Sequence, residues 1–551
     1  MWQRPKRVLG TAVAVAVMLL GAGCGDDDGD DGAAPTTAPP AATSPTSADA
    51  GSTATSAAAE EDFDPEGVVR IPYEMQASGG LKFDPVGVFI PHQPVLGLVY
   101  DSLLRPLPGG GKGPGLAREA RIVDPRTIEV ELFEGIRFSD GTPLDAEAAR
   151  TGLLRNVEHA SGPAFRAFEM SQVQDIVVTS PTSFRITLKS DIAGNWFELL
   201  ATGDVAMVSP KAIADGVDLN TKPVGAGPFL LESFDPATKA VFVKNPDYFK
   251  ADEVKAARIE LIQMGDPVSQ TNAIRSGAVD IVPTVATTQI PALSQIDDIE
   301  MTTEHSGNRW QQMFICQTRP PFDDVRVRQA LNLAIDREAI GRRLYGDNGP
   351  PAIGVWLPGS PFHDPEIDAM YPHDPDRARQ LLADAGVPNL SFTALTTGGD
   401  TQVFMEMVQQ QLADVGVTMQ IQQTVNPITE YYQELRQPAM GAPWSQLAIT
   451  KLSRLYRPGQ LTNACDYDNP ELNQLFDAIA AHDQSNPDAE AVALAKQAQR
   501  IVAEEALALF GVFYPDTAAW KDYVGGVKMV IHGGNGYLVP EFRDLYIKRD
   551  S

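Results

Sequence analysis

Seven histidines and three cysteines are the residues of this 551-residue chain whose types most readily do chemistry. The histidines are His92, His159, His305, His363, His373, His482 and His532. None has another histidine or a cysteine at the spacing of a zinc site, and the sequence contains no HExxH motif. This pattern is typical of surface or hydrogen-bonded structural histidines. We therefore expect neither a metal site nor a cofactor.

The glycine-rich segment PGGGKGPG (108–115) is the closest approach to a phosphate-binding loop. Gly113 follows Lys112 where such a loop has serine or threonine, and the glycine spacing also differs, so we predict a loop tip. The sequence has no GxSxG nucleophile elbow, and nothing separates its many carboxylate pairs from solvated helix faces. No arrangement of nucleophile and base indicates catalysis, and we predict that the protein is not an enzyme.

Cys24 lies in LLGAGCGDDDGDDG (19–32), between an apolar run and a block of aspartates. A positively charged start precedes the apolar core VLGTAVAVAVMLL (8–20), which is too short to span a bilayer as a helix. The small residues 21–23 resemble the cleavage box of bacterial lipoproteins, although glycine stands where an aliphatic residue is usual. We predict a signal peptide over 1–23 and lipidation of Cys24; the alternative is an ordinary cleaved signal.

Charge and composition limit the partners of the remaining chain. Its 44 basic and 72 acidic side chains give a formal charge of −28, which argues against nucleic acid or anionic lipid as a bulk partner. Eleven of the acids fall in residues 25–66, where large apolar side chains are almost absent. Such a segment cannot bury enough apolar surface to offset the entropy that it would lose on ordering. We therefore predict a lipid-anchored, disordered linker over 24–66.

Hydrophobic periodicity predicts a mixed α/β body from about residue 67 onward. RTIEVELF (126–133) alternates as a half-buried strand, and GPFLLESFDPATKAVFVKN (227–245) is typical of two strands joined by a turn. DVRVRQALNLAIDREAIGRRLYG (324–346) has helical spacing, and DPDRARQLLADAG (374–386) predicts a helix that Asp374 caps and Gly386 ends. Residues 390–422 alternate strand, helix and strand, which implies a partly parallel sheet.

Several blocks carry a family resemblance, in the family's own order. The most diagnostic is GLAREARIVDPRTIEVELFEGIRFSDGTPLDAEAA (115–149). The others are LKFDP (81–85), VYDSLL (99–104), GAGPFLLESFDPATKAVFVKNPDYF (225–249), PPFDDVRVRQALNLAIDREAI (320–340), YPHDPDRARQLLADAGVP (371–388) and DYDNPELNQLFDAIAAHD (466–483). Together they resemble the extracytoplasmic solute-binding proteins of the oligopeptide, dipeptide and nickel type (family 5) that serve ABC importers.

The resemblance implies an α/β, two-lobed periplasmic-binding-protein-like fold with a hinge between the lobes. Lobe I is expected over 67–312, with an inserted subdomain at about 101–225, and is completed by 516–551. Lobe II is expected over 313–515. The arginines of the VRVRQAL motif in lobe II could equally be charges on a helix surface, without a functional role.

The resemblance also implies a function. A small-molecule or peptide ligand would bind in the cleft between the lobes and pass to ABC permease and ATPase subunits. We expect a monomer on the extracytoplasmic face of the cell membrane, held there by its lipid anchor only. The alternatives are a surface receptor or signalling protein that kept this fold and, less favoured because no nucleophile–base set is visible, a secreted peptide hydrolase.

One departure from the family bears on the ligand. Many peptide-binding relatives carry an acidic stretch after a lobe II tryptophan, and one of its carboxylates can pair with the ammonium group of the peptide. Here Trp444 is present, but residues 435–465 contain no acid and offer Lys451, Arg454 and Arg457. Because burying an unpaired ammonium is costly, we hypothesise that a free peptide N-terminus is not recognised in the usual way. The alternative is that these basic residues lie on a solvated loop.

The candidate ligand-binding residues follow from that comparison. Trp444 could stack on a ligand or be a core residue, and Trp310 and Asn463 are weaker candidates. Arg454 and Arg457 are the candidates for an anionic ligand.

The two remaining cysteines form an even set in an exported chain, and relatives often have asparagine in place of Cys316. We expect Cys316 and Cys465 either to form a disulfide or to stay as two buried thiols.

Overall fold

A computed structural model describes residues 62–549, except 77–79, 87, 89–91, 109–110, 160–168, 425, 446–449, 461, 484–485 and 533–536. The predicted signal peptide, Cys24 and the linker up to residue 61 lie outside the described residues. Residues 62–66 depart from the predicted linker. The backbone N–H of Asp64 donates to the carbonyl of Ile547 at 2.9 Å, and the Phe63 ring meets Tyr546 edge-on. The folded body begins before residue 67 because Phe63 gives this segment a large apolar group to bury.

The described strands and α-helices follow one another along the chain in mixed order. The strands are β1 (Val68–Tyr73), β2 (Leu104–Pro106), β3 (Lys112–Pro114), β4 (Ala117–Asp124), β5 (Thr127–Leu132), β6 (Val173–Val178), β7 (Ser183–Leu188), β8 (Phe229–Asp235), β9 (Lys239–Lys244), β10 (Arg258–Gln263), β11 (Ile281–Val282), β12 (Ile299–Ile315), β13 (Ser391–Thr396), β14 (Thr418–Gln423), β15 (Ala439–Ser445), β16 (Ala508–Lys521), β17 (Val524–Gly525), β18 (Met529–His532), β19 (Tyr537–Pro540) and β20 (Tyr546–Ile547). The helices are α1 (Gln93–Val99), α2 (Ala146–Glu158), α3 (Ala193–Leu199), α4 (Pro210–Ala214), α5 (Pro267–Arg275), α6 (Ile290–Leu293), α7 (Val325–Leu333), α8 (Arg337–Tyr345), α9 (Pro365–Asp368), α10 (Pro375–Asp384), α11 (Gly399–Asp414), α12 (Thr450–Tyr456), α13 (Pro470–Ile479) and α14 (Ala489–Glu504). No helix within these described ranges is long and apolar enough to cross a membrane.

A four-stranded sheet with the order β1-β10-β9-β8 forms the centre of the first lobe. β1 and β10 run parallel, whereas β8 and β9 form the predicted antiparallel hairpin. At its turn the Asp235 carboxylate accepts the N–H of Ala237 at 2.9 Å, which explains why this short polar sequence reverses the chain. Alternate residues of β1 and β10, such as Val69 and Ile259, lie in the core together with the C-terminal Leu545.

An inserted subdomain packs two helices, α2 and α3, around an antiparallel sheet with the order β4-β5-β7-β6. The alternation predicted for β5 is confirmed, since Ile128, Val130 and Leu132 are buried. α2 begins at Asp145, whose carboxylate accepts the N–H of Ala148 at 2.9 Å. We refer to this subdomain, the β1 sheet and the segment between β10 and β12 together as lobe I, since apolar residues of that segment pack against Ile262 and Met264 at the end of β10.

A six-stranded sheet with the order β11-β16-β12-β15-β13-β14 begins beside lobe I, where β11 pairs with β16, and continues into the second lobe. β13 runs parallel to both β14 and β15, so the predicted βαβ unit β13-α11-β14 is confirmed. The helix predicted over 374–386 is confirmed as α10, with Asp374 accepting the N–H of Arg377 at 2.9 Å. We refer to the part whose core runs from Trp310 to Phe513 as lobe II.

The helical spacing predicted over 324–346 is confirmed, but the segment forms two helices, α7 and α8, rather than one continuous helix. Asp336 separates the two helices, because its carboxylate accepts the N–H of Ala339 at 2.9 Å and caps the start of α8. Arg328 of the VRVRQAL motif does not lie on a helix surface. It is 4% exposed, and its guanidinium donates to the carbonyls of Phe322 and Glu505.

Two long strands, β12 and β16, pass from one lobe into the other. Their Ile299–Glu304 and Asp516–Lys521 segments pair beside β11 next to lobe I, and Arg309–Phe314 pairs with Ala508–Tyr514 inside lobe II. The pairing register shifts between Glu304 and Arg309, which marks the passage between the lobes. Buried cores on either side of this passage agree with two lobes, whereas the residue limits given above for each lobe stay predictions.

Candidate functional site

The candidate site lies where one edge of the lobe II sheet faces lobe I. β13 and β15 run parallel and end at Thr396 and Ser445, so their carboxyl ends meet at the same edge of the sheet. In open α/β sheets, ligands bind in the crevice outside such strand ends. We define the cleft edge as residues 397–400, Trp444 and the neighbouring Arg309 of β12.

Polar contacts between described residues join the two lobes. Thr287 of lobe I donates its hydroxyl to the Asp400 carboxylate at 3.3 Å, and Arg454 donates to Glu169 of the inserted subdomain at 3.4 Å. The backbone N–H of Gly194 donates to the carbonyl of Ala480 at 3.0 Å. Both parts of lobe I therefore touch lobe II in this conformation.

Glycine is required at the contact between α3 and the end of α13. A Cβ atom built on Gly194 would lie 1.7 Å from the carbonyl oxygen of His482 and 3.0 Å from that of Ala480. A side chain there is incompatible with the observed distance between the lobes. Sequence reasoning did not find this residue, because its constraint comes from a segment almost 300 positions away in the chain.

Trp444 is the candidate ligand-binding residue that lies on the cleft edge. Its half-buried ring packs edge-on against Phe314, with ring centroids 5.7 Å apart. Its indole N–H is shielded from solvent and has no hydrogen-bond partner among the described residues. Because a buried indole N–H normally finds an acceptor, Trp444 offers one donor for a polar atom of a solute.

The two candidate arginines both have acidic partners. Arg454 pairs with Glu169 across the lobes, as described above. Arg457 donates to the Asp477 carboxylate at 2.7 Å and to the carbonyl of Asn473 at 3.1 Å, which holds it against α13. Neither guanidinium therefore presents an unpaired positive charge for an anionic solute.

Trp310 and Asn463 lie in the interior rather than on the cleft edge. Trp310 has no exposed surface, and its indole N–H donates to Gln312 at 2.8 Å. The Asn463 side chain donates to the carbonyl of Tyr467 at 2.8 Å and accepts its N–H at 3.0 Å. Both side chains complete local hydrogen bonding, so in this conformation neither is available to a solute.

The structure joins Cys316 and Cys465 in a disulfide bond, with their Cα atoms 5.4 Å apart. The bond links the residue after β12 to the loop between α12 and α13. Thr318 adds a hydrogen bond to the carbonyl of Cys465 at 2.8 Å. The segment that carries Arg454 is thereby tied to the lobe II core.

A polar and aromatic cluster beside the hinge was not predicted from the sequence. Arg309 donates to the Asp516 carboxylate at 2.6 Å, and its guanidinium lies 4.8 Å from the centre of the Tyr514 ring. Tyr514 accepts a hydrogen bond from Arg309 at 3.2 Å and stacks on Tyr345, and burial raises the pKa of both tyrosines, so both stay neutral. Asp400 lies next to Tyr345, and burial raises the pKa of its carboxyl group.

Among the signals in the sequence, only the position of Asp400 just after a predicted strand could have pointed to this cluster. The other members come from distant strands, and no spacing connects them.

Known proteins resemble this chain in sequence and in fold. The model of the bacterial extracellular solute-binding proteins, family 5, middle region, matches residues 113–450. The glutathione-binding protein GsiB of Escherichia coli strain K12 is 28% identical over 406 residues, which are 69% of this chain and 76% of that protein.

Two solved structures illustrate the likeness in fold. The Helicobacter pylori periplasmic binding protein DppA, in complex with the peptide STSA, has a TM-score of 0.72 at 18% identity and covers 89% of this chain and 99% of its own. The dipeptide-binding protein of Pseudoalteromonas sp. SM9913, in complex with Met-Leu, has a TM-score of 0.71 at 21% identity and covers 87% of this chain and 100% of its own. They confirm the predicted two-lobed α/β fold.

Proposed function

The chain belongs to the bacterial extracellular solute-binding proteins of family 5, and from this premise we propose that it captures a peptide or peptide-like solute between its lobes. The solute would then pass unchanged to the permease of an ABC importer. The relatives support this solute class, since one is named for glutathione and two solved structures hold a dipeptide and the peptide STSA.

The observation that carries the proposal is the cleft edge itself. The carboxyl ends of two parallel strands meet there, beside an indole N–H that has no partner among the described residues and a half-buried carboxylate that contacts the opposite lobe. A solute in this position touches both lobes only when they are closed. Binding would therefore shift an equilibrium between open and closed forms, and the closed form is the one that docks on the permease.

The family consists of binding proteins, and we propose that this chain has no catalytic activity. We further propose that Cys24 carries the lipid that holds the protein on the extracytoplasmic face of the membrane. Mass spectrometry of the mature N-terminus tests this anchor directly. A mature protein that begins after Cys24 would contradict it.

The function is tested by calorimetry of the purified protein with glutathione, Met-Leu and Ser-Thr-Ser-Ala, together with mass spectrometry of any solute that copurifies. We expect one-to-one binding of at least one peptide, with a smaller radius of gyration in solution scattering after binding. The proposal fails if none of the peptides binds, no peptide copurifies and the scattering curve does not change.

A further inference from the structure

Asp400 is the residue of the cleft edge whose side chain contacts Thr287 of lobe I. It follows the end of β13 after a turn in which Gly398 and Gly399 both have positive φ, 91° and 59°. This turn delivers Asp400 to the first turn of α11, and its carboxylate accepts the hydroxyl of Thr287 from the opposite lobe at 3.3 Å. The side chain therefore lies between the lobes, where the proposed function places the solute.

The partners of Asp400 differ from those of the other carboxylates at the lobe boundary. Asp516 pairs with Arg309, and Glu169 pairs with Arg454. Among the described residues, Asp400 forms no ion pair, and its side-chain partners are the hydroxyl groups of Thr287 and Tyr345. It is a carboxylate with acceptor capacity for a cation that the described chain does not supply.

The surroundings of Asp400 make its negatively charged form unfavourable unless a cation lies beside it. The side chain is half-buried beside Tyr345, and burial raises its pKa because the charged form loses water without gaining a positive neighbour. Asp400 lies in the first turn of α11, where the helix dipole favours a negative charge. Its carboxylate is nevertheless directed at the opposite lobe. Gly398 at the N-cap has no side chain that could form a capping hydrogen bond. A solute ammonium group would supply the absent charge.

We infer that Asp400 binds the ammonium group of the solute, so that the protein selects peptides with a free amino terminus. This inference rests on the proposed function and specifies it further. It also gives a reason for the acid-free segment 435–465, because the carboxylate comes from the end of β13 rather than from the chain after β15. A free amino terminus is then recognised, but by a residue on a different strand.

Calorimetry with paired probes tests the assignment. The probes are trialanine and glutathione, each with a free and with an acetylated amino group. We expect the wild-type protein to bind each free form at least about tenfold more tightly than its acetylated form, the scale of a charged hydrogen bond. Asp400→Asn should lose about tenfold affinity for the free forms and leave the acetylated forms within about twofold.

Two control variants separate recognition from closure. Thr287→Val removes the same hydrogen bond between the lobes but keeps the carboxylate, so it should retain the preference for free amino groups. Asp376→Asn removes an exposed carboxylate elsewhere on lobe II and should change nothing.

Three outcomes overturn the inference while the proposed function stands: equal loss of both peptide forms in Asp400→Asn, no loss of either, or wild-type binding that acetylation does not weaken. If the wild-type protein binds none of the probes in either form, the proposed peptide function itself fails, and the inference fails with it.

Discussion

Arg337 is buried inside lobe II, and its guanidinium acceptors among the described residues are oxygen atoms of neutral groups. The acceptors are the carbonyl oxygens of Asn332, Tyr371 and Phe510 and the side-chain oxygen of Asn332, at 2.8–3.1 Å. Burial lowers the pKa of Arg337 to about 9, so the group stays charged at neutral pH. It pairs backbone groups of several elements that the core would otherwise leave without partners.

Replacing Arg337 should therefore destabilise the whole of lobe II. We expect Arg337→Met to lower the free energy of unfolding by about 3 kcal/mol, because several buried acceptors lose their donor at once. Urea unfolding followed by circular dichroism measures the change. Arg342→Met, an exposed position on the same helix, should cost less than about 1 kcal/mol; equal effects of the two substitutions would contradict the structural role.

Glu541 lies in a group of charges that ties the C-terminal segment to lobe I. It pairs with Arg105 at 3.2 Å, and its acidic neighbours include Asp101 and Asp544. Burial, reinforced by these acids, raises the pKa of Glu541 to about 7, although Arg105 acts in the opposite direction. The folded protein thus retains a proton there at a pH where the unfolded chain has released it.

The difference between the Glu541 pKa in the folded protein and in the unfolded chain determines how stability changes with pH. Stability from Glu541 is fully present below the carboxyl pKa of the unfolded chain, near 4.3, and is lost as pH rises to about 7. We expect the unfolding free energy of the wild-type protein to fall by about 1–3 kcal/mol more between about pH 5 and about pH 8 than that of Glu541→Gln. Identical pH profiles of the two proteins would exclude the effect.

At the scale of elements, the sequence predicted structure where the signal was local. Alternation in β5, the β8–β9 turn at Asp235 and the Asp374 cap of α10 each depend on a few neighbouring residues, and each prediction is confirmed. The break between α7 and α8 was missed, because the apolar spacing continues through Asp336 and conceals its capping role. The contacts of residues 62–66 with the folded body were missed because they depend on a single aromatic ring, Phe63.

The candidate site was less predictable than the fold. Trp310 and Trp444 are directly opposite each other on β12 and β15, yet only Trp444 lies at the cleft edge. Their exposure depends on which neighbours cover each ring, and Phe513 covers Trp310 from a strand about 200 positions later. Asp400 and Gly194 have roles that arise only once the lobes meet, so no local pattern could indicate them.

The disulfide should stabilise the loop between α12 and α13. Because it closes a segment of 149 residues, we expect its loss in Cys316→Ser with Cys465→Ser to lower the unfolding free energy by about 2–5 kcal/mol. Reductant should lower the stability of the wild-type protein to the same value and leave the double variant unchanged. Two free thiols in unreduced, unfolded protein would rule the bond out.

At the scale of the whole molecule, closure requires close approach of the inserted subdomain and lobe II. Gly194→Ala places a Cβ atom where the carbonyl of His482 now lies, so we expect it to hold the lobes apart. Solute affinity should fall by at least about tenfold, while the melting temperature of the solute-free protein changes little. Calorimetry and scattering measure these effects together.

Gly152→Ala is the matched control for that variant. Gly152 lies on α2 of the same subdomain, where the nearest atoms to a new Cβ, from 3.4 Å outward, belong to Val208 and Met207 of lobe I. We expect unchanged affinity, with a small gain in stability from the better helix propensity of alanine. An unchanged affinity in Gly194→Ala as well would show that the binding form does not contain the α3–α13 contact.

The first and last described residues lie beside each other. The N–H of Arg549 donates to the carbonyl of Asp62 at 3.1 Å, so the first and last described segments lie against each other on lobe I. A pair of dyes attached at these two ends would keep a constant separation and give no signal when the cleft shuts. Energy transfer between a dye on an exposed position of α10 and a dye at either end would instead change as the cleft closes. The labelled protein would then act as an optical sensor for its solute.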